Sequence, residues 1–482
     1  MGFLSRFKDA LDPDNVLMEV MNGFIEGVAM KRALGVDQET WEPGKPLKLC
    51  LAGYVGTRNT GADVRVEEMI RQFRHVVGDD DLELTIMSVN LGRTAGYFRT
   101  VRQVELPVVF PKFLFDECPK HHGVISCEGS MFKSKFANAL STMMAGALGI
   151  AAVEDKLAVG YGAEAGAMTP QLRDFVKKHC KHALVQCRNN PSREVLGRLG
   201  VRTTGGTDTA WTFDPASPER GEQLLREQGW DGKKKVIVVC PINPFWWPVK
   251  PDLGKAAAQG LVGQYKREHY RSFYYHHSSE EADLNYHAYL DGIAEGLERF
   301  LQEEDAFTIL VGMERVDRQS CEALSERLTV KPPLFISDDY DMFDMVSVLR
   351  RCSAMVSSRF HAVVTSMPGL VPSGGITMDE RIRNLMNDRG HPELFLEVDE
   401  DDLGEKVYAM LRRLWDDGEQ ISDDIGRVIP KQFALMGQMG IDFMDEVQRV
   451  YPEFPRRDLP NDPMAHLPPL SPYLQGLMEK YG

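Results

Sequence analysis

No stretch of this chain approaches the ~18 to 20 uninterrupted apolar residues that a membrane-spanning helix requires. The amino end, Met1-Gly-Phe-Leu-Ser-Arg-Phe-Lys8, lacks an apolar signal core and a small-residue cleavage site, so no secretory leader is expected. Cysteine is sparse: the 8 residues are scattered with no Cys-x-x-Cys pair, and Cys50 and Cys240 sit inside apolar runs. That distribution suits reduced thiols and a cytoplasmic protein better than a disulfide framework. Basic excess is also missing. With 56 Lys and Arg against 71 Asp and Glu, the formal charge is −15, which argues against nucleic acid as the main partner. No metal is expected: His276-His277 are adjacent histidines without further ligands at ligand spacing. The acidic runs Asp79–Asp81 and Asp399–Asp402 read as solvated loops, the second leading into a helix.

What is present is ordinary for a globular enzyme: 43% hydrophobic and 26% charged residues over 482 positions, too many for one core. Residues 1–46 read as an N-terminal helical extension, with Val16, Val20, Met21, Phe24 and Val28 at helical spacing. Residues 47–212 alternate short apolar runs (47–52, 82–87, 123–126, 157–159, 183–186) with helical segments such as 136–150 and 170–179. Residues 213–232 read as a linker, and Val236–Cys240 opens a second alternating set over 233–430. Residues 431–482 hold a helix at 434–450 and a proline-rich tail, docked or mobile. The fold class expected is therefore α/β, with two consecutive α/β domains and a cleft between them.

One segment concentrates the chemistry. Ala354-Met355-Val356 reads as the end of a buried strand, followed by Ser357-Ser358-Arg359-Phe360-His361 and a helix that Pro368-Gly369 stops. A second short strand is expected at Leu370–Pro372, then a glycine turn at Ser373-Gly374-Gly375. This order places Arg359 and His361 at a strand's carboxyl end and a helix's amino end, where open α/β sheets bind ligands and where anions are favoured. Arg359 adds a guanidinium fork, and His361 a group that exchanges protons near neutrality. Arg381 follows 20 residues after His361 and brings a second permanent cation. The expected ligand is small and doubly anionic. The loop Asn243-Pro244-Phe245-Trp246-Trp247-Pro248 reads as packing at the cleft mouth, with sugar stacking as the alternative.

In this setting the chain resembles the polysaccharide pyruvyl transferase family. Gly53-Tyr54-Val55-Gly56-Thr57-Arg58-Asn59-Thr60-Gly61 matches the family's first loop, and Glu128-Gly129-Ser130-Met131-Phe132 its second, glycine-rich loop. Arg188-Asn189-Asn190-Pro191-Ser192, Asp208, Arg359-Phe360-His361-Ala362 and Met378-Asp379-Glu380-Arg381 follow in the family's order. Four positions depart from the pattern. The first loop's acid is displaced by one, to Asp63; Cys127 and Glu128 interrupt the triple glycine; Asn189 replaces aspartate; and Arg381 replaces lysine.

The resemblance implies a glycosyltransferase-B-like pair of Rossmann-like domains and transfer of a pyruvyl group from phosphoenolpyruvate to a saccharide or glycan-lipid acceptor, giving a ketal without a cofactor. It implies His361 and Arg359 as catalytic residues, and Arg359, Arg381, Arg188, Asn59, Gly61 and Ser130 as donor-binding residues. Peripheral membrane contact stays open. Two rival readings fit the same architecture: a sugar-nucleotide-dependent glycosyltransferase, with Glu314 holding a ribose, or a non-catalytic homologue.

Overall fold

The computed structural model describes residues 12–36, 38–262, 269–271 and 274–482. Its frame is two parallel sheets. The first has seven strands, β1 (Leu47–Ala52), β2 (Leu82–Ser88), β3 (Arg102–Glu105), β4 (Gly123–Ser126), β5 (Leu157–Ala163), β6 (Leu184–Cys187) and β7 (Arg202–Gly205), ordered β3-β2-β1-β4-β5-β6-β7. After β8 (Val236–Cys240), three short strands form a small antiparallel sheet: β9 (Lys250–Pro251), β10 (His269–Arg271) and β11 (Tyr274–Tyr275). The second large sheet is completed by β12 (Phe307–Gly312), β13 (Leu334–Ile336), β14 (Ala354–Ser357), β15 (Ser373–Thr377) and β16 (Phe395–Glu397), in the order β13-β12-β8-β14-β15-β16. Both sheets reverse their strand order beside their first strand, which opens a crevice at the carboxyl ends of β1 and β4, and of β8 and β14.

Helices cover both faces, so the central strands need apolar residues on each side. Every residue of β8, Val-Ile-Val-Val-Cys, is buried, as is every residue of β4 and β14. The short edge strands β3 and β16 carry mixed, half-buried sequences, which is why the pattern of apolar runs did not reveal them.

Three expectations are corrected. The strand expected at Leu370–Pro372 lies instead at Ser373–Thr377, after a 3-10 turn and a left-handed Leu370 with φ 56°. Gly374 and Gly375 are strand residues rather than turn residues. A Cβ on Gly374 would strike Met410, and one on Gly375 would strike Ile382, so glycine is what lets those helices lie on the sheet. The helix expected at 434–450 extends over Gly418–Val450, through Pro430. Its early part touches the turn before β15, where the Ser422 hydroxyl donates to the Leu370 carbonyl at 2.7 Å. Its later part returns to the first sheet, where the Gln186 amide donates to the Met439 carbonyl at 2.8 Å.

The amino-terminal helix read from the sequence spans Pro13–Ala33. It buries Met18, Met21, Ile25 and Val28, while Val16 and Val20 are 45% exposed. Met21 lies over Gly146 of the Asn138–Val153 helix, and Ile25 over Gly149, so this extension is packed on the body. Residues 1–11 of that segment lie outside the described residues. The proline-rich tail is docked: Arg71 donates to the Pro469 carbonyl, Gln72 to the His466 carbonyl, and the Tyr473 hydroxyl to the Pro368 carbonyl, at 2.6, 3.0 and 2.8 Å. No described helix is long and apolar enough to cross a membrane.

Candidate active site

Every candidate side chain follows the carboxyl end of a parallel strand. Asn59 and Gly61 follow β1, Ser130 follows β4, Arg188 follows β6, Arg359 and His361 follow β14, and Arg381 follows β15. The two sheets present these ends to each other. The seven residues named from the sequence accordingly meet in one region.

His361 makes the link across the junction. Its Nε2 lies 3.2 Å from Oδ2 of Asp208, a residue just after β7. Asp208 is also held by Arg188, whose guanidinium donates to Oδ2 at 2.8 Å, and by Arg65, whose Nε is 3.1 Å away. Arg65 is fully buried in the Thr60–Val77 helix and donates to the carbonyls of Cys127, Tyr161 and Gly162, so it ties the ends of β4 and β5 to Asp208. Arg188 further binds Glu164, with Nε to Oε2 at 2.7 Å, and stacks 4.6 Å over the Phe360 ring. Glu164 takes a third contact from buried Lys133, at 2.9 Å, which also reaches Glu380.

These contacts fix the charges. Burial pushes the Asp208 carboxyl up, but its cationic neighbours, Arg65 first, together with the bond from His361 and the Arg188 guanidinium, hold it well below the usual carboxylate range. Glu164 likewise overcomes burial through Arg188, Lys133 and Arg381 and is held at about 2. Burial lowers the His361 imidazole below its ordinary value, against the opposing pull of Asp208. Both carboxylates are therefore ionised at neutral pH, whereas the imidazole is neutral.

Gly61 serves this arrangement through its missing side chain. A Cβ there would run into the His361 ring, at Nδ1 and Cγ. It is a close-approach glycine. Asn59 does two jobs: its Oδ1 caps the Thr60–Val77 helix by accepting from the Ala62 amide at 3.2 Å, and its Nδ2 donates to Glu314 at 3.1 Å.

Arg359 faces a second acidic pair. Its Nε donates to Asp317 at 2.8 Å, its terminal nitrogen to Asp317 as well, and the same nitrogen to Glu314 at 3.1 Å. Glu314 also accepts from the Tyr54 hydroxyl at 3.1 Å, so it joins the first domain's loop to the second domain's arginine. Here burial prevails over Arg359, lifting Glu314 to about 7 and raising Asp317. Arg381 is held by Asp379 at 2.8 Å, reaches the Ser130 hydroxyl at 3.5 Å, and lies 4.7 Å over the Phe136 ring.

Two adjoining cavities open among these groups. The smaller, about 60 Å³, is lined by Asn59, Glu128, Ser358, Arg359, His361 and Arg381, with apolar walls from the second sheet's loops. The larger, about 140 Å³, shares Asn59, Glu128, Arg359 and Arg381 and continues into an apolar limb. Trp247 lines that limb, whereas Trp246 is buried and stacks on His276 at 4.4 Å. No group of His, Cys, Asp or Glu among the described residues is arranged to hold a metal.

Sequence reasoning did not single out Arg65, Lys133, Glu164 and Asp317. Arg65 left one signal, a charged residue between Val64 and Val66 on a helix with a buried face. Glu164 left another, an acid directly after the wholly buried β5. The displaced acid Asp63 does not line either cavity; it is buried, and its carboxyl is pushed up to about 8 by that burial, against Arg58.

Residues 157–377 match the family model described as polysaccharide pyruvyl transferase. Among solved structures, a protein from Listeria monocytogenes described as a UDP-N-acetylglucosamine 2-epimerase has 11% identity and a TM-score of 0.51, covering 83% of this chain and 97% of its own. A glycosyltransferase from Rickettsia africae has 10% identity and a TM-score of 0.51, covering 85% of this chain and 99% of its own. At such identities the likeness concerns fold alone. No curated protein matches the chain in sequence. The frame of two Rossmann-like sheets is arranged as in glycosyltransferases of type B, and within it residues 157–377 are similar to the polysaccharide pyruvyl transferase family.

Proposed function

We propose that the protein transfers the pyruvyl group of phosphoenolpyruvate to two hydroxyls of one saccharide. The observation that carries this reading is the cavity shared by Arg359, Arg381 and His361, of which Arg359 and His361 lie within the matched residues 157–377. The donor brings a phosphate and a carboxylate, and the two guanidiniums supply forked donors for both. Each is also paired with carboxylates, so the donor displaces or shares those contacts. Glu314, already close to neutral, can take up a proton and release Arg359.

In the reaction, two C–O bonds form at the donor's C2 and the bond from C2 to the phosphate oxygen breaks. The methylene becomes a methyl by gaining one proton. The acceptor's two hydroxyls lose two protons, one balancing the methyl and one leaving with phosphate. His361 is the proton-transfer group. Asp208, kept ionised by Arg65 and Arg188, stabilises its imidazolium when the donor's negative charge draws a proton onto the ring. Arg359 and Arg381 stabilise the departing phosphate.

The ribose-binding role considered for Glu314 in a sugar-nucleotide enzyme fits less well. The side chain is 3% exposed and already holds Tyr54, Asn59 and Arg359. Phosphate release from phosphoenolpyruvate, dependent on a glycan from an acceptor panel, tests the proposal. Turnover of a nucleotide sugar without phosphoenolpyruvate would reject it. His361→Gln should keep donor affinity within a few-fold and lower turnover by about 100-fold. Near-normal turnover would remove His361 from proton transfer.

A further inference from the structure

The pyruvyl reaction needs a doubly anionic donor and a polyhydroxylated acceptor, yet most of the larger cavity's wall is neither. From the shared polar end, where Asn59, Glu128, Arg359 and Arg381 stand, the cavity runs into a limb lined by Leu106, Phe110, Phe136, Ala139, Met143 and Val249, among other apolar residues. The limb is built from both domains. Leu106 and Phe110 come from the segment after β3, Ala139 and Met143 from the helix after β4, and Val249 from the loop after β8. That loop is fastened in place: the Val249 amide donates to the Phe136 carbonyl at 2.7 Å, and the Phe136 and Trp247 rings meet edge to face at 5.3 Å. Leu106, Phe110, Ala139, Met143 and Val249 are each under 7% exposed, so the wall is set by packing.

We propose that this limb is an acceptor subsite for a ring-sized apolar group, an aryl or branched alkyl substituent carried by the saccharide that receives the pyruvyl group. The inference deepens the reading of function given above and rests on it. Three observations fix the occupant. The limb opens onto the polar end holding Arg359 and Arg381, so a group bound there is attached to whatever meets the donor. A free sugar would leave its hydroxyls facing hydrocarbon, a cost that apolar walls do not recover. The whole cavity, polar end included, is about 140 Å³, no more than an apolar cavity of about 150 Å³ known to hold benzene, so the limb that forms part of it has room for one ring at most. It accommodates one ring and not a multi-unit lipid chain.

Calorimetry with phenyl and methyl β-D-glucoside, in the presence of phosphoenolpyruvate, tests the subsite through binding alone. The phenyl compound should bind about 10-fold or more tightly, as expected for burying one ring, and Ala139→Phe should erase the difference while leaving phosphoenolpyruvate affinity unchanged. Equal affinities for the two glucosides, or a preference that survives Ala139→Phe, would overturn the proposal. If Ala139→Phe does not fold, Met143→Ala supplies the second test: a naphthyl glucoside should gain affinity relative to the phenyl compound, and no gain overturns the subsite. A phenyl preference combined with absence of pyruvyl transfer to every glycan would instead overturn the functional reading, so the two failures are distinguishable.

Discussion

Asp208 and Glu314 are both almost completely buried, and both touch a basic side chain from the same Arg359–His361 segment, yet their charges differ. Asp208 meets two permanent cations, Arg65 and Arg188, together with His361, and stays ionised although Arg188 is shared with Glu164. Glu314 shares the single Arg359 with Asp317, and burial carries it to about 7. Burial is equal at the two places; the local ratio of acids to cations decides the outcome. The Asp208 side is a fixed scaffold that orients the imidazole. The Glu314 side can change its protonation when an anion arrives, which suits a group next to the donor.

The sharpest way to break this contrast is to neutralise each acid in turn. Asp208→Asn leaves Arg65 and Arg188 without that carboxylate inside the protein, and losing one partner of a buried ion pair costs about 3–5 kcal/mol. Glu314→Gln should cost less than about 1 kcal/mol at pH 6.5, because the acid is largely protonated there. Urea unfolding at that pH reads both. Equal losses would show that the two carboxylates carry the same charge and would end the comparison.

A second test concerns ligand binding. Arg359→Ala should weaken phosphoenolpyruvate binding by about 100-fold or more, since each hydrogen bond to a charged group is worth about 1.5–3 kcal/mol. Arg359→Lys should recover part of it, because charge returns without the fork. Donor affinity unchanged in Arg359→Ala, measured by calorimetry, would remove Arg359 from the site and leave it a tether for Glu314 and Asp317.

How far these residues could be read from the sequence follows the same physics. The paired sheets were legible because parallel strands buried on both faces write continuous apolar runs, as Val236–Cys240 does. Arg359, His361 and Arg381 were legible because strand, polar turn and helix fix them at a carboxyl edge. Their partners were harder. Asp317 sits 42 residues from Arg359, and Arg65 sits 143 residues from Asp208, so neither pairing leaves a local pattern. Gly374 and Gly375 misled for a related reason: their use is close approach by Met410 and Ile382, and spacing alone reads them as a turn. The family's acid, displaced to Asp63, was visible as a departure, but its burial away from both cavities was not.

Asp63 offers the mildest and most selective test, since it lies outside the cavities while belonging electrostatically with Glu314. Its folded value of about 8 lies above the ordinary 3.8, as Glu314's of about 7 lies above 4.5. A raised acid binds its proton more tightly in the folded state, so its stabilising contribution is full below the unfolded value and is lost as pH rises through the folded one. Glu164, held at about 2, runs the other way: its contribution is present above 4.5 and is lost as pH falls towards 2. Between pH 6 and pH 7.5, Glu164 is ionised in both states and contributes no slope. Folded Asp63 remains protonated while its unfolded counterpart is ionised, so this one group removes about 2 kcal/mol over the interval, at about 1.4 kcal/mol per pH unit. Asp63→Asn abolishes that term, and Asn in its place needs no ionisation. Melting temperatures of both proteins at pH 6 and pH 7.5 should therefore show a smaller decline for Asp63→Asn. Parallel declines would show that Asp63 ionises as an ordinary carboxylate, and that burial without a paired cation does not suffice to hold its proton.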